Sequence, residues 1–271
     1  MKRYAVKSLQ ALILVTICWS IVRFDPGGQI FNIPGVLIVI AGTFVATALG
    51  QSFRAVVDLI RQLPQKLKRQ DLANEADMAH FIKVAELHRQ GSVRPAELAV
   101  RRIADPFLRS SVQLVLDRTP HADVSRMLQW KIGAQRERDH GEIQVFRTMM
   151  VFAPAFGMLG TLFGLISMLY GLDSKSFQHI GESMGFAMLT TVYGLMLANL
   201  VLKPIVTRLE LRSKERLAWL YVQCEAVLML HGRYHPSLIR DYLQAFLDSP
   251  GKPEPQGEPH LGAAKPTPVN S

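Results

Sequence analysis

Four stretches of this chain carry no Asp, Glu, Lys or Arg: 8–22, 26–53, 148–172 and 183–202. A helix needs about 20 apolar residues to cross the hydrocarbon core of a bilayer. The third stretch exceeds that length, the fourth just meets it, and the second exceeds it once the turn residues "PGGQIFNIP" are set aside. The first is short, but Lys7 and Arg23 at its ends can snorkel to the interface. The pattern predicts an all-α integral membrane protein with four transmembrane helices, at about 8–23, 34–52, 148–171 and 183–203. A basic N-terminus before an apolar run also describes a signal peptide. However, "ICWSIVRF" stands where a small-x-small cleavage site would be needed, so the first span is read as retained.

The spans pair into two hairpins, 1–50 and 148–203, around a cytoplasmic helical domain at 51–147. "FRAVVDLIRQLPQKL" continues inward from the second span until Pro64. "ANEADMAHFIKVAELHRQ" places Met78, Phe81, Ile82 and Ala85 at helical spacing, with Gly91 as its stop. "DPFLRSSVQLVLDR" begins a helix at Asp105 with Pro106 in first position. The run from His121 enters the third span without a proline, and the fourth span continues past Lys203 into cytoplasmic C-terminal helices over 204–248. The last stretch, 249–271, is Pro- and Gly-rich with almost no large apolar side chain, so it is expected to be disordered.

Charge sets the topology. Of the Lys and Arg residues, 17 lie in 51–147, one (Lys175) lies in 173–182 and none lies in 24–33. The positive-inside rule puts both termini and the large connection in the cytoplasm. The formal net charge of +9 is thereby explained without nucleic acid, for which no module or interleaved aromatics are visible. Cys18 and Cys224 form neither a disulfide framework nor a metal spacing. With no HExxH or GxSxG and with all eight histidines outside the spans, an enzyme is the weakest class of reading, and no cofactor is expected.

The candidate chemistry lies in the third and fourth spans. Gly160 and Gly164, and then Gly181 and Gly185, form small-xxx-small pairs that let helices approach closely; Gly157 and Gly194 belong to the same packing set. Two such pairs in adjacent spans predict a tightly packed oligomer. Pro154 removes a backbone donor inside the third span and Pro204 marks the inner end of the fourth, which makes the two a candidate pair of hinges. Thr161 is 14 residues beyond Arg147 and Thr191 is 12 before Lys203. At 1.5 Å per residue both lie roughly 18–21 Å from the cytoplasmic ends, so these hydroxyls can form a polar belt. Thr190 points about 100° away from Thr191 and is counted with Thr161 and Thr191 among the candidate ion-path residues. Ion routes through membranes use buried ionisable groups. Here Asp25, Asp173 and Glu182 all sit at the outer edges, so a second polypeptide must supply a carboxylate if ions cross, and the same absence suits a scaffold that moves none.

"APAFGMLGTLFGLISML" followed by "IGESMGFAMLTTVYGLMLANLVLKPI" resembles the third and fourth spans of the MotA/PomA-type stator subunits of the bacterial flagellar motor. The likeness extends to "IPGVLIVIAGTFVAT", "LVLDRTPHADVSRML" and "HPSLIRDYLQAFL", from about residue 34 to 247. The resemblance implies an inner-membrane ring, five subunits in the family's usual assembly, around two copies of a MotB/PomB-type partner whose single span brings the ion-carrying aspartate. It implies that Pro154 and Pro204 match the family's two functional prolines. It further implies that Thr161 and Thr191 match hydroxyls of sodium-driven members, where proton-driven members often have alanine at the Thr161 position. Sodium is therefore favoured over proton as the transported cation. Finally, "LHRQGSVRPAEL" places Arg89 and Glu97 as that family spaces the charges engaging a FliG-type rotor switch protein, with Gln90 where the family often has a second basic residue. The nearest alternative is an ExbB/TolQ-type motor subunit, against which the 8–50 hairpin argues.

Overall fold

The structure is a computed structural model, and it describes residues 32–67, 75–171 and 177–248. The expected first span at 8–23 and the tail at 249–271 lie outside the described residues. Among the described residues all regular structure is helical: α1 (Ile33–Gly50), α2 (Phe53–Leu67), α3 (Glu75–Arg89), α4 (Val93–Val100), α5 (Pro106–Leu116), α6 (His121–Gly171), α7 (Phe177–Met196), a π-helical turn (Leu197–Leu202), α8 (Lys203–His231) and α9 (Pro236–Asp248). Among the described residues three helices are long and apolar enough to cross a membrane: Ile33–Gly50, a part of His121–Gly171, and a part of the run Phe177–His231. The chain forms two compact units, 32–58 with 145–205 and 59–144 with 206–248.

In the first unit, α1 starts where Asn32 Oδ1 accepts from Gly35 N–H at 3.1 Å and Pro34 occupies the first turn. Its inward face repeats every four residues, with Gly35, Val39, Thr43 and Thr47 buried. Both threonines turn their hydroxyls back on their own helix, Thr43 Oγ1 donating to Val39 O (2.6 Å) and Thr47 Oγ1 to Thr43 O (2.8 Å). Ile33, Leu37, Ile40, Val45 and Leu49 point outward and are exposed, as are Leu162, Ile166 and Leu169 on α6 and Met188, Val192 and Leu195 on α7. A surface this apolar suits lipid or a protein partner. Two boundaries differ from the sequence reading. Gln51 adopts an extended conformation after Gly50, so α2 is a separate helix and not a continuation of α1. α2 also runs through Pro64 to Leu67, because a proline near a helix end forfeits one hydrogen bond without stopping the chain.

The second unit has an ordinary apolar core, in which Phe81, Ile103, Leu128, Leu230 and Ile239 are among the fully buried side chains. Buried Asp77 binds the loop before α5, accepting from Ala104 N–H (2.6 Å) and Asp105 N–H (3.1 Å). Asp105 caps α5 through Phe107 N–H (2.8 Å), and its other oxygen accepts from Gln223 Nε2 (2.6 Å). Helices α3, α5 and α8 end alike, each with paired 5→2 and 6→1 bonds: Gly91 to His88 and Ser92 to Leu87, Arg118 to Val115 and Thr119 to Leu114, Arg233 to Leu230 and Tyr234 to Met229. The left-handed residue is Gly91 (φ 76°) in the first, but Arg118 (φ 58°) and Arg233 (φ 51°) in the others. A side chain in that region costs about 1–2 kcal/mol.

Candidate functional site

The third and fourth apolar segments meet along a seam with almost no side chain in it. A methyl group placed on Gly157 would stand 2.9 Å from Thr190 O and 3.2 Å from Thr191 Cα. One on Gly160 would stand 2.5 Å from Thr190 Cβ, and one on Gly164 2.7 Å from Ala187 Cβ. From the facing helix, a methyl on Gly194 would meet Ala153 O at 2.6 Å, Gly157 Cα at 3.1 Å and Pro154 Cα at 3.2 Å. Backbones therefore touch across the seam, and that contact is open only to residues lacking a Cβ. Gly181 and Gly185 carry the same small-xxx-small spacing, yet among the described residues neither has an atom within 4 Å of its added methyl position. Spacing alone gave both pairs equal weight, and packing within the chain separates them.

The seam sorts the three threonines. Thr190 is fully buried, and its Oγ1 donates to Ala187 O at 2.9 Å. It is also wedged: Gly160 faces it on one side, and its Cγ2 lies 3.1 Å from the methyl position of Gly35 on the other. Thr190 is thus the residue where α1, α6 and α7 converge, a role the sequence did not indicate. Thr161 and Thr191 are both half-buried on the flanks. Thr161 Oγ1 donates to Met158 O at 2.6 Å, so its lone pairs are turned away from its own helix. Because Thr191 stands opposite Gly157, four residues before Thr161, the two hydroxyl-bearing positions lie within about 6 Å along the helix axis.

Further hydroxyls line the unit that sequence reasoning passed over. Ser183 is buried and its Oγ donates to Ser167 Oγ at 3.4 Å, one end of the seam; Thr43 and Thr47 lie on the inner face of α1. The four-residue repeat Gly35–Val39–Thr43–Thr47 was the available signal. At the other end of α7, Asn32 N–H donates to Tyr193 Oη at 2.9 Å and ties α1 to it. No acid occurs in 148–172 or 183–202, and among the described residues no three His, Cys, Asp or Glu side chains can hold a metal ion.

Pro154 is half-buried within α6, its Cα against Gly194. Pro204 is exposed and follows directly on the π-helical turn, where Lys203 N–H donates to Ala198 O across five residues. Nothing in "LANLVL" announced that turn. It places a widened, weakened stretch of helix immediately ahead of the proline.

Arg89 and Glu97 are exposed on either side of the Gly91 turn, Arg89 closing α3 and Glu97 within α4. Beside Arg89, His88 is half-buried, and burial first, then Arg233 and His231, hold its pKa below the ordinary 6.5.

The MotA/TolQ/ExbB proton channel family model matches residues 99–220. The chain is 30% identical over 220 residues to Motility protein A of Borreliella burgdorferi, covering 81% of this chain and 84% of that relative. It is 29% identical over 230 residues to Chemotaxis protein PomA of Vibrio alginolyticus, covering 82% and 86%. In structure it is similar to a chain of C. jejuni MotAB (TM-score 0.76, 18% identity, 90% of this chain and 96% of that one). It is also similar to a chain of the flagellar MotAB stator complex of Bacillus subtilis (TM-score 0.72, 22% identity, 88% and 94%).

Proposed function

Because this chain belongs to the MotA/TolQ/ExbB proton channel family, we propose that it is the multi-pass, ion-conducting stator subunit of a bacterial flagellar motor. In this reading it sits in the inner membrane with both termini in the cytoplasm, the side to which its Lys and Arg are biased. A ring of copies, five by resemblance, surrounds a MotB/PomB-type partner whose single span carries the ion-binding aspartate. What carries the reading is the character of the seam: charge-free, closed by glycine contacts, with hydroxyls on its flanks and no carboxylate of its own. A carboxylate in the bilayer core is costly unless it is partnered by the path it serves. Hydroxyl oxygens such as those of Thr161 and Thr191 are suitable ligands for a hard cation shedding water, which favours sodium over proton.

Torque then follows in three steps. A cation moves onto the partner's aspartate and neutralises it, its release to the cytoplasm restores the charge, and each change shifts the ring's contacts with the partner helices. Pro154, Pro204 and the π-helical turn are the places where α6 and the α7–α8 run can yield. Arg89 and Glu97 engage the charged face of a FliG-type rotor protein, where complementary charge supplies register more than affinity. The testing experiment measures swimming in sodium medium and with sodium replaced by potassium, for the native chain and for Thr161→Ala. Swimming should require sodium, and the variant should need more of it. Full swimming in potassium removes the ion assignment, and a cell that swims normally without this chain removes the function. The ExbB/TolQ-type alternative would instead leave swimming intact and impair an energised process of the cell envelope.

A further inference from the structure

Three helix ends meet in the unit formed by 59–144 and 206–248. His231 Nε2 lies 3.0 Å from Thr119 O, the His121 and His231 rings pack edge to face at 5.2 Å, and His88 feels the charges of Arg233 and His231. The loops after α3, α5 and α8 are thereby neighbours. Their sequences are "HRQGS" at 88–92, "DRTPH" at 117–121 and "HGRYH" at 231–235, with three arginines and four histidines against one carboxylate, Asp117. Arg89, Arg118, His121, Arg233 and His235 are all exposed.

The backbone adds a second, independent observation. Each loop opens with the same left-handed cap, a position that glycine fills best and asparagine next. The first loop uses Gly91, whereas the other two use Arg118 and Arg233 against that preference. Side chains kept where the backbone disfavours them point to a use for the side chains themselves.

We propose that these three loops form one basic docking surface, with Arg89, Arg118 and Arg233 as its fixed charges, that receives a carboxylate-rich segment of the rotor-side protein. The inference rests on the reading of Arg89 as rotor-facing and widens that contact from one loop to three. Clustered guanidinium groups take carboxylates in paired, directional hydrogen bonds, so such a surface orients the partner as well as attracting it.

The test is the double variant Arg118→Gly/Arg233→Gly in the full-length protein, assembled in cells with its partner. Glycine is what the left-handed backbone prefers, so the charges go without a folding penalty. Stall torque in tethered cells should fall at least threefold at unchanged membrane abundance, and Asp or Glu to Lys reversals on the rotor protein should restore part of it. Arg118→Lys/Arg233→Lys, which keeps the charges but not the paired hydrogen bonds, should fall between the native value and the double glycine variant. Arg89→Glu measured in parallel separates the two claims. If Arg89→Glu abolishes torque and the double glycine variant does not lower it, the wider surface is overturned and the Arg89 reading stands. If neither changes torque, both fall. A torque loss that no rotor reversal restores overturns the acidic protein segment as occupant, the result expected if anionic lipid or nucleic acid occupied the loops.

Discussion

Gly194 is hemmed in the seam by backbone atoms alone, and replacing it with alanine gives a sharp prediction. The added methyl would meet Ala153 O at 2.6 Å, Gly157 Cα at 3.1 Å and Pro154 Cα at 3.2 Å, where ordinary contact begins near 3.4 Å. The shortfall at the carbonyl is thus about 0.8 Å, and all three neighbours are backbone, so no rotamer change relieves it. Overpacking of this kind costs about 1–3 kcal/mol. The same change returns about 0.8–1.0 kcal/mol, because alanine is the better helix former. Gly185→Ala, in the same helix with nothing within 4 Å, collects that gain without the clash. Gly194→Ala should therefore unfold below Gly185→Ala by a gap of about 1–3 kcal/mol, or roughly 2–4 °C for each kcal/mol. Thermal unfolding of the purified complex in detergent, with the two variants side by side, measures the gap. Equal stability, or a lower melting temperature for Gly185→Ala, would refute the assignment of the seam.

Gly160→Ala should be destabilising and be rescued by Thr190→Gly but not by Thr190→Ala, because the 2.5 Å clash is with Thr190 Cβ, which alanine retains. A double-mutant cycle on melting temperature should return a coupling of about 0.5–3 kcal/mol for the glycine pair. His88 has its pKa depressed, so its contribution to stability is complete above 6.5 and is lost as pH falls through its folded-state value. Melting temperature should drop from pH 7.5 to 5.5, and His88→Gln should flatten that slope; an unchanged slope rejects the assignment. Burial and then Glu225 push the Cys224 thiol up to about 11, so Cys224 should resist maleimide in the native complex and react on unfolding, read by peptide mass spectrometry.

Much of the fold was legible because its signals are local. Charge-free windows marked α1 and the apolar parts of α6 and the α7–α8 run, and Asp105 before Pro106 marked the start of α5, where Asp105 does cap the helix. What escaped the sequence depends on partners. A small-xxx-small pair shows that a helix can be approached, not which helix approaches, so Gly160–Gly164 and Gly181–Gly185 looked alike. Thr190 and Thr191 are neighbours in sequence, and only the register against Gly157 and Gly160 decides which one is wedged. The π-helical turn and the break after Gly50 have no distinctive residues, because each arises from how a helix end accommodates its surroundings. The left-handed Arg118 and Arg233 were hidden for the opposite reason: their residue type argues against the conformation they adopt.

The wedge of Thr190 between Gly160 and Gly35 has a mechanical consequence. Sliding α7 along α6 by one residue would drive its Cβ out of a notch only a hydrogen atom wide and into a neighbouring side chain, and α1 blocks the retreat. Shear between these three helices is therefore the expensive direction of motion. The close contacts of α1, the apolar part of α6 and α7 therefore resist sliding, so the three move as one block and bending belongs at its ends.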